Sequence, residues 1–157
     1  MAVRRYSRLA QRLGQQRWFS AVGRRVAGLD RFLYQHSGGR LTFARGMGPA
    51  TLVLTTIGRS SGQRRSVELL YCRVDGSYAV VASNWGQRQH PAWSANLLAQ
   101  PDCWVLVGST EVPVRARLAD DAERDRLWKT LVAMWPAYRS YAERSGRDFR
   151  LFVLDPR

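Results

Sequence analysis

The sequence has few of the residues on which most enzyme chemistry depends. Only two cysteines, Cys72 and Cys103, and two histidines, His36 and His90, occur among 157 residues. Two cysteines far apart in apolar stretches exclude a disulfide framework and are typical of a protein from a reducing cytoplasm. Because no cysteine or carboxylate stands at ligand spacing from either histidine, we expect no metal site.

Further absences narrow the possible reactions. The Gly-x-Ser-x-Gly spacing of serine hydrolases occurs once, in residues 58–62 (GRSSG), but a strand and not a helix is predicted after it, so it lacks the strand–turn–helix setting of a nucleophile elbow. No pair of carboxylates occupies the apolar frame that a glycosidase needs. The chain has no run of the roughly 18 apolar residues that span a membrane. The basic N-terminus also lacks the apolar stretch of a secretory signal, so we expect no export. An enzyme with so few acid–base groups would take its reactivity from an organic cofactor.

Arginine, in contrast, is abundant. The net charge is +13, and Lys129 is the only lysine among 25 basic residues. Residues 1–45 contain ten arginines and one acid, Asp30, so nine of the net positive charges lie there. A charge of this sign favours nucleic acid, a membrane surface or an anionic small molecule as a partner.

The first 45 residues carry apolar side chains at helical spacing, with arginines between them. The apolar positions are Phe19, Val22, Val26, Leu29, Phe32 and Leu33. This pattern predicts a basic amphipathic helical segment, residues 1–45, joined through glycines to a body, residues 46–157. The helix could pack on its own domain or on a neighbouring subunit, lie on a membrane, or contact nucleic acid, and the pattern leaves these alternatives open.

From residue 50 onward the apolar period changes to that of short strands. The pattern predicts strands over residues 51–56, 67–74, 78–82, 103–107, 111–119 and 149–154. Helices are predicted after His90-Pro91, after a cap at Asp120 or Asp121, and after Pro136. Hairpins dominate, so we predict an α+β, mainly antiparallel fold: a barrel-like sheet of about six strands with covering helices and the N-terminal amphipathic helix.

The most informative motif follows the first strand. Residues 55–65 read TTIGRSSGQRR, with two glycines, two serines and three arginines. Glycine lets backbone N–H groups turn toward an anion, serine donates hydrogen bonds, and arginine binds phosphate or carboxylate through two N–H groups. The spacing is not that of a Walker loop. On its own the segment predicts either an anion site or a polar hairpin.

Two later motifs each allow two interpretations. Residues 82–86 read ASNWG and precede a predicted helix that contains Trp93. One interpretation is a binding site, with hydrogen-bond donors at the end of a strand and the start of a helix; the other is a capped helix with Trp93 in the core. Residues 135–141 read WPAYRSY, with Trp135, Tyr138 and Tyr141 along one face. These aromatics are a core stripe or the wall of a pocket, and the tyrosine hydroxyls favour the pocket.

Together these motifs resemble the deazaflavin (F420)-dependent nitroreductase family, which are small split-β-barrel oxidoreductases. The resemblance covers residues 49–157, in order and spacing, through LTTIGRSSGQRR, VASNWG, HPAW and WPAYRSY. It implies transfer of a hydride from reduced coenzyme F420 to a small or lipophilic acceptor such as a quinone or a nitro compound. It also implies a cytoplasmic protein, either free or peripheral at the inner face of the cell membrane. Residues 1–48 match only in character, since members often carry a variable, membrane-associating helix.

The resemblance implies roles for individual residues. The phosphate and polyglutamate tail of F420 would contact Arg59, Ser60, Ser61 and Arg65. The deazaflavin ring would contact Ser66, Val67, Glu68, Leu69, Leu70, Val81, Ala82 and Ser83. Further cofactor-contacting positions would be Asn84, Ala92, Trp93, Asn96 and Tyr138. The acceptor would contact Trp135, Tyr138 and Tyr141, and the catalytic groups that orient or protonate it would be Ser83, Tyr138 and Tyr141.

Some positions depart from the family pattern. Members commonly have lysine where this chain has Ser60 and Asn84, and Arg64 and Arg88 could replace those cations. Glu68 stands where proline is usual. The alternatives are a non-catalytic F420 or fatty-acid binding protein on the same barrel and an FMN-dependent split-barrel enzyme. A nucleic-acid-binding module is disfavoured, because the aromatic residues fall in core-like positions. The oligomeric state, monomer or dimer, stays open.

Overall fold

The computed structural model describes residues 51–157 and seven earlier residues. The seven are Gly14, Gln15, Gln16, Trp18, Ala21, Val22 and Arg25. The rest of the predicted basic helix, the glycine joint and the boundary between residues 45 and 46 lie outside the described residues. Within the described part of the chain, no helix is long and apolar enough to cross a membrane.

Six antiparallel strands close into a barrel within residues 51–157. They are β1 (Thr51–Ile57), β2 (Arg64–Val74), β3 (Ser77–Val81), β4 (Asp102–Val107), β5 (Thr110–Leu118) and β6 (Leu151–Pro156). Their order around the barrel is β1-β2-β3-β6-β5-β4, and β4 pairs with β1 to close it. The predicted α+β fold with a six-stranded barrel is confirmed. β2 begins at Arg64 rather than at Val67, because Arg64 and Arg65 pair with Ile57 and Thr56 across the hairpin.

Three helices accompany the barrel in the same range. They are α1 (Ala92–Ala99), α2 (Asp121–Met134) and α3 (Ala137–Ser145). Asp120 caps α2 through a capping box: its carboxylate accepts from the Glu123 N–H at 2.8 Å, and the Glu123 carboxylate accepts from the Asp120 N–H at 3.2 Å. Pro136 separates α2 from α3, and Gly146, with a φ of 62°, ends α3 as a left-handed cap.

Alternate residues of the strands build two cores. Tyr78 and Val80 of β3 face the barrel interior, where Trp93 and Leu97 of α1 also pack. Ala79 and Val81 face outward, against α2 and α3. The period of two along a strand is what sends neighbouring side chains into different cores. The barrel positions α1 at one opening, and the second core holds α3 against the end of β3.

Both cysteines are free and buried. Burial raises the pKa of Cys72 to about 11 and that of Cys103 to about 12. Thiols with such pKa values are protonated at neutral pH, so neither is a nucleophile. The two side chains belong to the packing of the cores.

Candidate active site

The loop of residues 58–63, which joins β1 to β2, has a conformation set by its own backbone. The Gly58 N–H donates to the Gln63 carbonyl at 2.8 Å, and the Gly58 carbonyl accepts from Ser61 at 3.1 Å and from Gly62 at 2.7 Å. A Cβ atom on Gly58 would lie 2.5 Å from the Ser61 Oγ, so a side chain there would displace the Ser61 hydroxyl. The side chains of Arg59, Ser60 and Ser61 are exposed. The loop is therefore a built hairpin with donors on its surface.

Asn96 of α1 ties this loop to the barrel. Its Oδ1 accepts from the Arg59 N–H at 3.1 Å, and its Nδ2 donates to Thr56 Oγ1 at 3.0 Å. Thr56 in turn donates to the Arg65 carbonyl at 3.4 Å. Asn96 and Thr56 are buried, and a buried polar group left without its partner costs about 1–3 kcal/mol. The amide of Asn96 thus holds the residues that precede and begin the loop.

Three exposed arginines surround the loop without a carboxylate partner among the described residues. Arg59 lies in the loop, and Arg64 and Arg65 begin β2. The Arg64 guanidinium lies 4.0 Å from the centre of the Trp104 ring, and Arg65 makes a long contact of 3.4 Å to the Gln63 side chain. Their positive charges are therefore available to an anion.

The middle of β2 is half-buried on both of its faces. This stretch consists of Ser66, Val67, Glu68, Leu69 and Leu70. Val67 and Leu69 pack against the barrel interior, whereas Leu70 packs against the second core. Ser66 shares a hydrogen bond of 2.9 Å with the Thr55 hydroxyl across the hairpin. Half-burial on the outer face leaves this strand accessible to a flat ligand.

A left-handed turn follows β3. Asn84, Trp85 and Gly86 have φ values of 48°, 56° and 76°. A non-glycine residue in this region costs roughly 1–2 kcal/mol, so the surroundings must hold the turn. A Cβ atom on Gly86 would lie 3.0 Å from the Tyr141 Cα, which shows how closely α3 packs on the turn. Ser83, at the start of the turn, is half-buried, and its hydroxyl has no hydrogen-bond partner among the described residues.

Arg147 binds the same turn from the loop between α3 and β6. Its Nε donates to the Gln87 carbonyl at 3.0 Å and its Nη2 to the Ser83 carbonyl at 2.9 Å. Both Nη atoms also donate to the Ala82 carbonyl at 3.2 Å. Nothing in the sequence singles out Arg147, because one arginine among 25 basic residues carries no signal of its tertiary partners.

His90 is held in its neutral form beside this arginine. Its Nδ1 lies 3.0 Å from the Arg147 Nη1, and a guanidinium can only donate, so Nδ1 is the acceptor. Burial, and then the charges of Arg147 and Arg150, lower the pKa of His90. Burial and the Arg150 charge also lower the pKa of Arg147. At neutral pH the cluster therefore carries its charge on the arginines.

The aromatic residues of the WPAYRSY motif lie inside the second core. Trp135, Tyr138 and Tyr141 are 6%, 5% and 2% exposed. The Tyr141 hydroxyl donates to the Gly14 carbonyl at 3.1 Å, and a Cβ atom on Gly14 would collide with the Trp135 ring. Tyrosine hydroxyls favour a pocket in the sequence, but a backbone carbonyl satisfies this one inside a core. Trp93 is likewise buried, 5.7 Å from the Phe152 ring centre, while Ala92 is exposed at the start of α1.

The structure thus brings the proposed residues together in three groups. The first is the arginine loop with Asn96, the second is the half-buried stretch of β2, and the third is the end of β3 with the turn that α3 supports. Trp135, Tyr138 and Tyr141 lie in the second core beside that turn, and Gly14 contacts Trp135 and Tyr141. These groups offer cations, a flat apolar wall and a free hydroxyl.

The chain is similar to proteins with a described activity. A family model described as F420H(2)-dependent quinone reductase matches residues 15–156. An F420H(2)-dependent quinone reductase of Mycobacterium tuberculosis (strain ATCC 25618 / H37Rv) is 31% identical over 145 residues, which are 90% of this chain and 97% of that protein. A solved F420-H2 dependent reductase, FDR-A, is 34% identical with a TM-score of 0.62 and covers 67% of this chain and 93% of its own. A solved domain-swapped dimer is 30% identical with a TM-score of 0.65, over 86% of this chain and 99% of its own.

Proposed function

This chain belongs to the F420H(2)-dependent quinone reductase family, and from that premise we propose how its residues serve the transfer of a hydride from reduced F420 to a quinone. It is an F420-dependent oxidoreductase with a split-barrel fold. The assignment of the site rests on the loop of residues 58–63, whose conformation is fixed by its own hydrogen bonds. Among the described residues, no carboxylate pairs with the arginines of this loop and of the start of β2.

The residues of the loop fit an anionic cofactor. Arg59, Ser60, Ser61 and Arg65 present guanidinium and hydroxyl donors, which suit the phosphate and the polyglutamate tail of F420. Arg64 stands beside them at the start of β2 and supplies a further cation. Asn96 contributes by holding the backbone on which these donors stand.

The ring of the cofactor would lie along β2 and the end of β3. The ring would contact Ser66, Val67, Glu68, Leu69 and Leu70 of β2, Val81 at the end of β3, and Ala82 and Ser83 after it, while Asn84, Ala92 and Trp93 would make further contacts to the cofactor. When bound, F420 supplies the hydride, while the protein orients the ring and excludes water. The Ser83 hydroxyl, which has no partner among the described residues, is placed to donate to the ring edge or to the acceptor oxygen.

Trp135, Tyr138 and Tyr141 would form the acceptor side of the site. All three are buried, and the Tyr141 hydroxyl is engaged by the Gly14 carbonyl. A quinone would therefore reach the Tyr141 hydroxyl only after Gly14 moves away from it. In that arrangement the two tyrosine hydroxyls orient the acceptor oxygen or protonate it after hydride transfer.

Trp18, Val22 and Arg25, which follow Gly14 in the chain, would contact a membrane, in which lipophilic quinones dissolve. Trp18 and Val22 are 56% and 50% exposed, and with Arg25 they share one helical face because they stand four and three residues apart. An apolar face with cations is suited to an anionic lipid surface. A second copy of the chain is the alternative occupant, since one similar structure is a domain-swapped dimer.

Cofactor titration tests the function directly. The apoprotein is titrated with F420 and, separately, with FMN while the fluorescence of each cofactor is followed, and quinone reduction is then measured with reduced F420. We expect F420 to bind more tightly and a quinone to be reduced. Tight F420 binding without turnover of any quinone or nitro acceptor would favour a carrier, and a preference for FMN would contradict the assignment.

A further inference from the structure

One guanidinium joins the two arms of the turn that follows β3. Residues 82–90 leave the barrel and return to α1, and Arg147 donates to Ala82 and Ser83 on the outgoing arm and to Gln87 on the returning arm. Its Nη1 also lies 3.0 Å from the His90 Nδ1. Arg147 therefore bridges both ends of this segment, which we call the 82–90 turn.

The 82–90 turn is held partly by its own hydrogen bonds and partly by α3, since a Cβ atom on Gly86 would lie 3.0 Å from the Tyr141 Cα. Within it, Gly86 donates to Ser83 and Gln87 donates to Asn84, each at 3.0 Å, and the Asn84 side chain donates to Gln89 at 2.8 Å. Its three successive left-handed residues would relax toward ordinary backbone conformations if the arms separated. The conformation of the turn therefore depends on contacts from outside it.

The surroundings of Arg147 favour hydrogen bonds to several carbonyl groups at once rather than an ion pair. None of the ion pairs among the described residues includes it, and the adjacent Asp148 lies 3.9 Å from Arg124 instead. The guanidinium lies 4.6 Å from the centre of the Phe149 ring, which fixes its plane. A planar group with five donors can bind carbonyls on two arms at once, whereas a lysine ammonium acts as a point charge.

We propose that Arg147 is a positioning residue of the cofactor site, because it holds the 82–90 turn in the shape that presents Ser83 to the deazaflavin ring. This inference rests on the proposed function, which places the ring at the end of β3. Arg147 acts through the turn, since its donors are taken up by three carbonyl oxygens and by His90. It is distinct from the loop arginines, which are exposed and meet the anionic tail.

The test compares Arg147→Met and Arg147→Lys with Arg124→Met. Arg124 of α2 is the matched control, because its Nη1 donates at 2.9 Å to the carbonyl of Phe149, which lies in the same loop as Arg147. Arg124 makes no hydrogen bond to the described residues of the 82–90 turn. Hydrogen exchange of the 82–90 amides is measured without cofactor, and the F420 dissociation constant is measured by fluorescence. Arg147→Ala is also titrated with dilute guanidinium chloride, against sodium chloride at the same ionic strength.

In Arg147→Met and Arg147→Lys we expect faster exchange in the 82–90 turn and a dissociation constant raised about ten- to hundredfold, because the binding-competent shape of the turn would then be populated only about 1–10% of the time. The KM for F420 should rise more than kcat falls, and guanidinium, but not sodium, should restore part of the affinity. Arg124→Met should change neither the exchange of the turn nor the affinity. If Arg147→Met does not fold, Arg147→Lys carries the comparison.

Wild-type exchange and wild-type affinity in Arg147→Lys would overturn the proposal. An equal loss of affinity in Arg124→Met would also overturn it, because the effect would then be one of general stability. If the wild-type chain itself does not bind F420, the proposed function fails. That outcome is distinguishable, since the exchange rates report on the turn without any cofactor.

Discussion

Replacing Arg59 and Arg65 together by alanine should weaken F420 binding and leave the fold intact. Both side chains are exposed, and among the described residues their one side-chain hydrogen bond is the long one of 3.4 Å between Arg65 and Gln63. Exposed substitutions of this kind change stability by no more than about 0.5 kcal/mol. The melting temperature of the double variant should therefore stay close to that of the wild type.

The magnitude of the affinity loss follows from exposure. A charge-assisted hydrogen bond contributes about 1.5–3 kcal/mol, but solvent and salt screen exposed groups, so we take the lower end for Arg59 and Arg65. That value corresponds to about a tenfold loss for each residue, or roughly a hundredfold for the pair. The difference from wild type should shrink as salt is added, because the Debye length falls to about 3 Å at 1 M ionic strength.

The control for this experiment removes the same charge elsewhere. Arg115 and Arg126 are also exposed, but each is paired with a carboxylate, Asp102 at 2.9 Å and Asp75 at 3.2 Å. Replacing both by alanine lowers the net charge of +13 by the same two units. We expect the F420 dissociation constant of that variant, measured by fluorescence, to stay within about threefold of wild type. An unchanged constant for the Arg59 and Arg65 variant, or an equal loss in the control, would refute the assignment of the loop.

Four further predictions follow from single sites. Asn96→Ala should lower the free energy of unfolding in urea by about 1–3 kcal/mol and weaken F420 binding, because the arginine loop loses its tie; unchanged affinity would show that the tie is only structural. Tyr138→Phe keeps the buried ring, so it should lower kcat for quinone reduction with little change in melting temperature, and wild-type turnover would withdraw its role as a donor. The Arg117 guanidinium lowers the pKa of Glu123 from 4.5 to about 2, so wild type should lose stability relative to Glu123→Gln as the pH falls through that range, and parallel denaturation curves would contradict the pairing. The chain should sediment with anionic vesicles and less so after Trp18→Ala, whereas equal sedimentation with neutral vesicles would remove the electrostatic argument.

Residue patterns that repeat along the chain were sufficient to predict the fold. Alternating apolar residues predicted the strands, Asp120 and Pro136 predicted where helices begin and break, and the absence of strand–helix alternation predicted an antiparallel barrel. These signals are local, because capping, proline geometry and strand periodicity act within a few residues. The largest displacement of a strand boundary is the start of β2, where polar arginines follow the hairpin and carry no apolar period. The last strand is displaced as well, from the predicted residues 149–154 to Leu151–Pro156.

The candidate site was predictable only as a set of motifs. The arginine loop could be read from its residues, but the sequence could not show that Asn96 holds it from α1, since 37 residues separate Asn96 from Arg59. The burial of Tyr141 under Gly14 is equally invisible, as the two lie 127 positions apart.

The sequence by itself determined the strand and helix pattern, the excess of arginine and the motifs that indicate an F420 enzyme. Tertiary structure alone decided which polar groups face one another: that Arg147 binds the 82–90 turn, that His90 is neutral beside it, and that Tyr141 is satisfied within a core. The physical reason is that hydrogen bonds and desolvation act over a few ångströms in space, at pairings that barrel closure creates between residues remote along the chain.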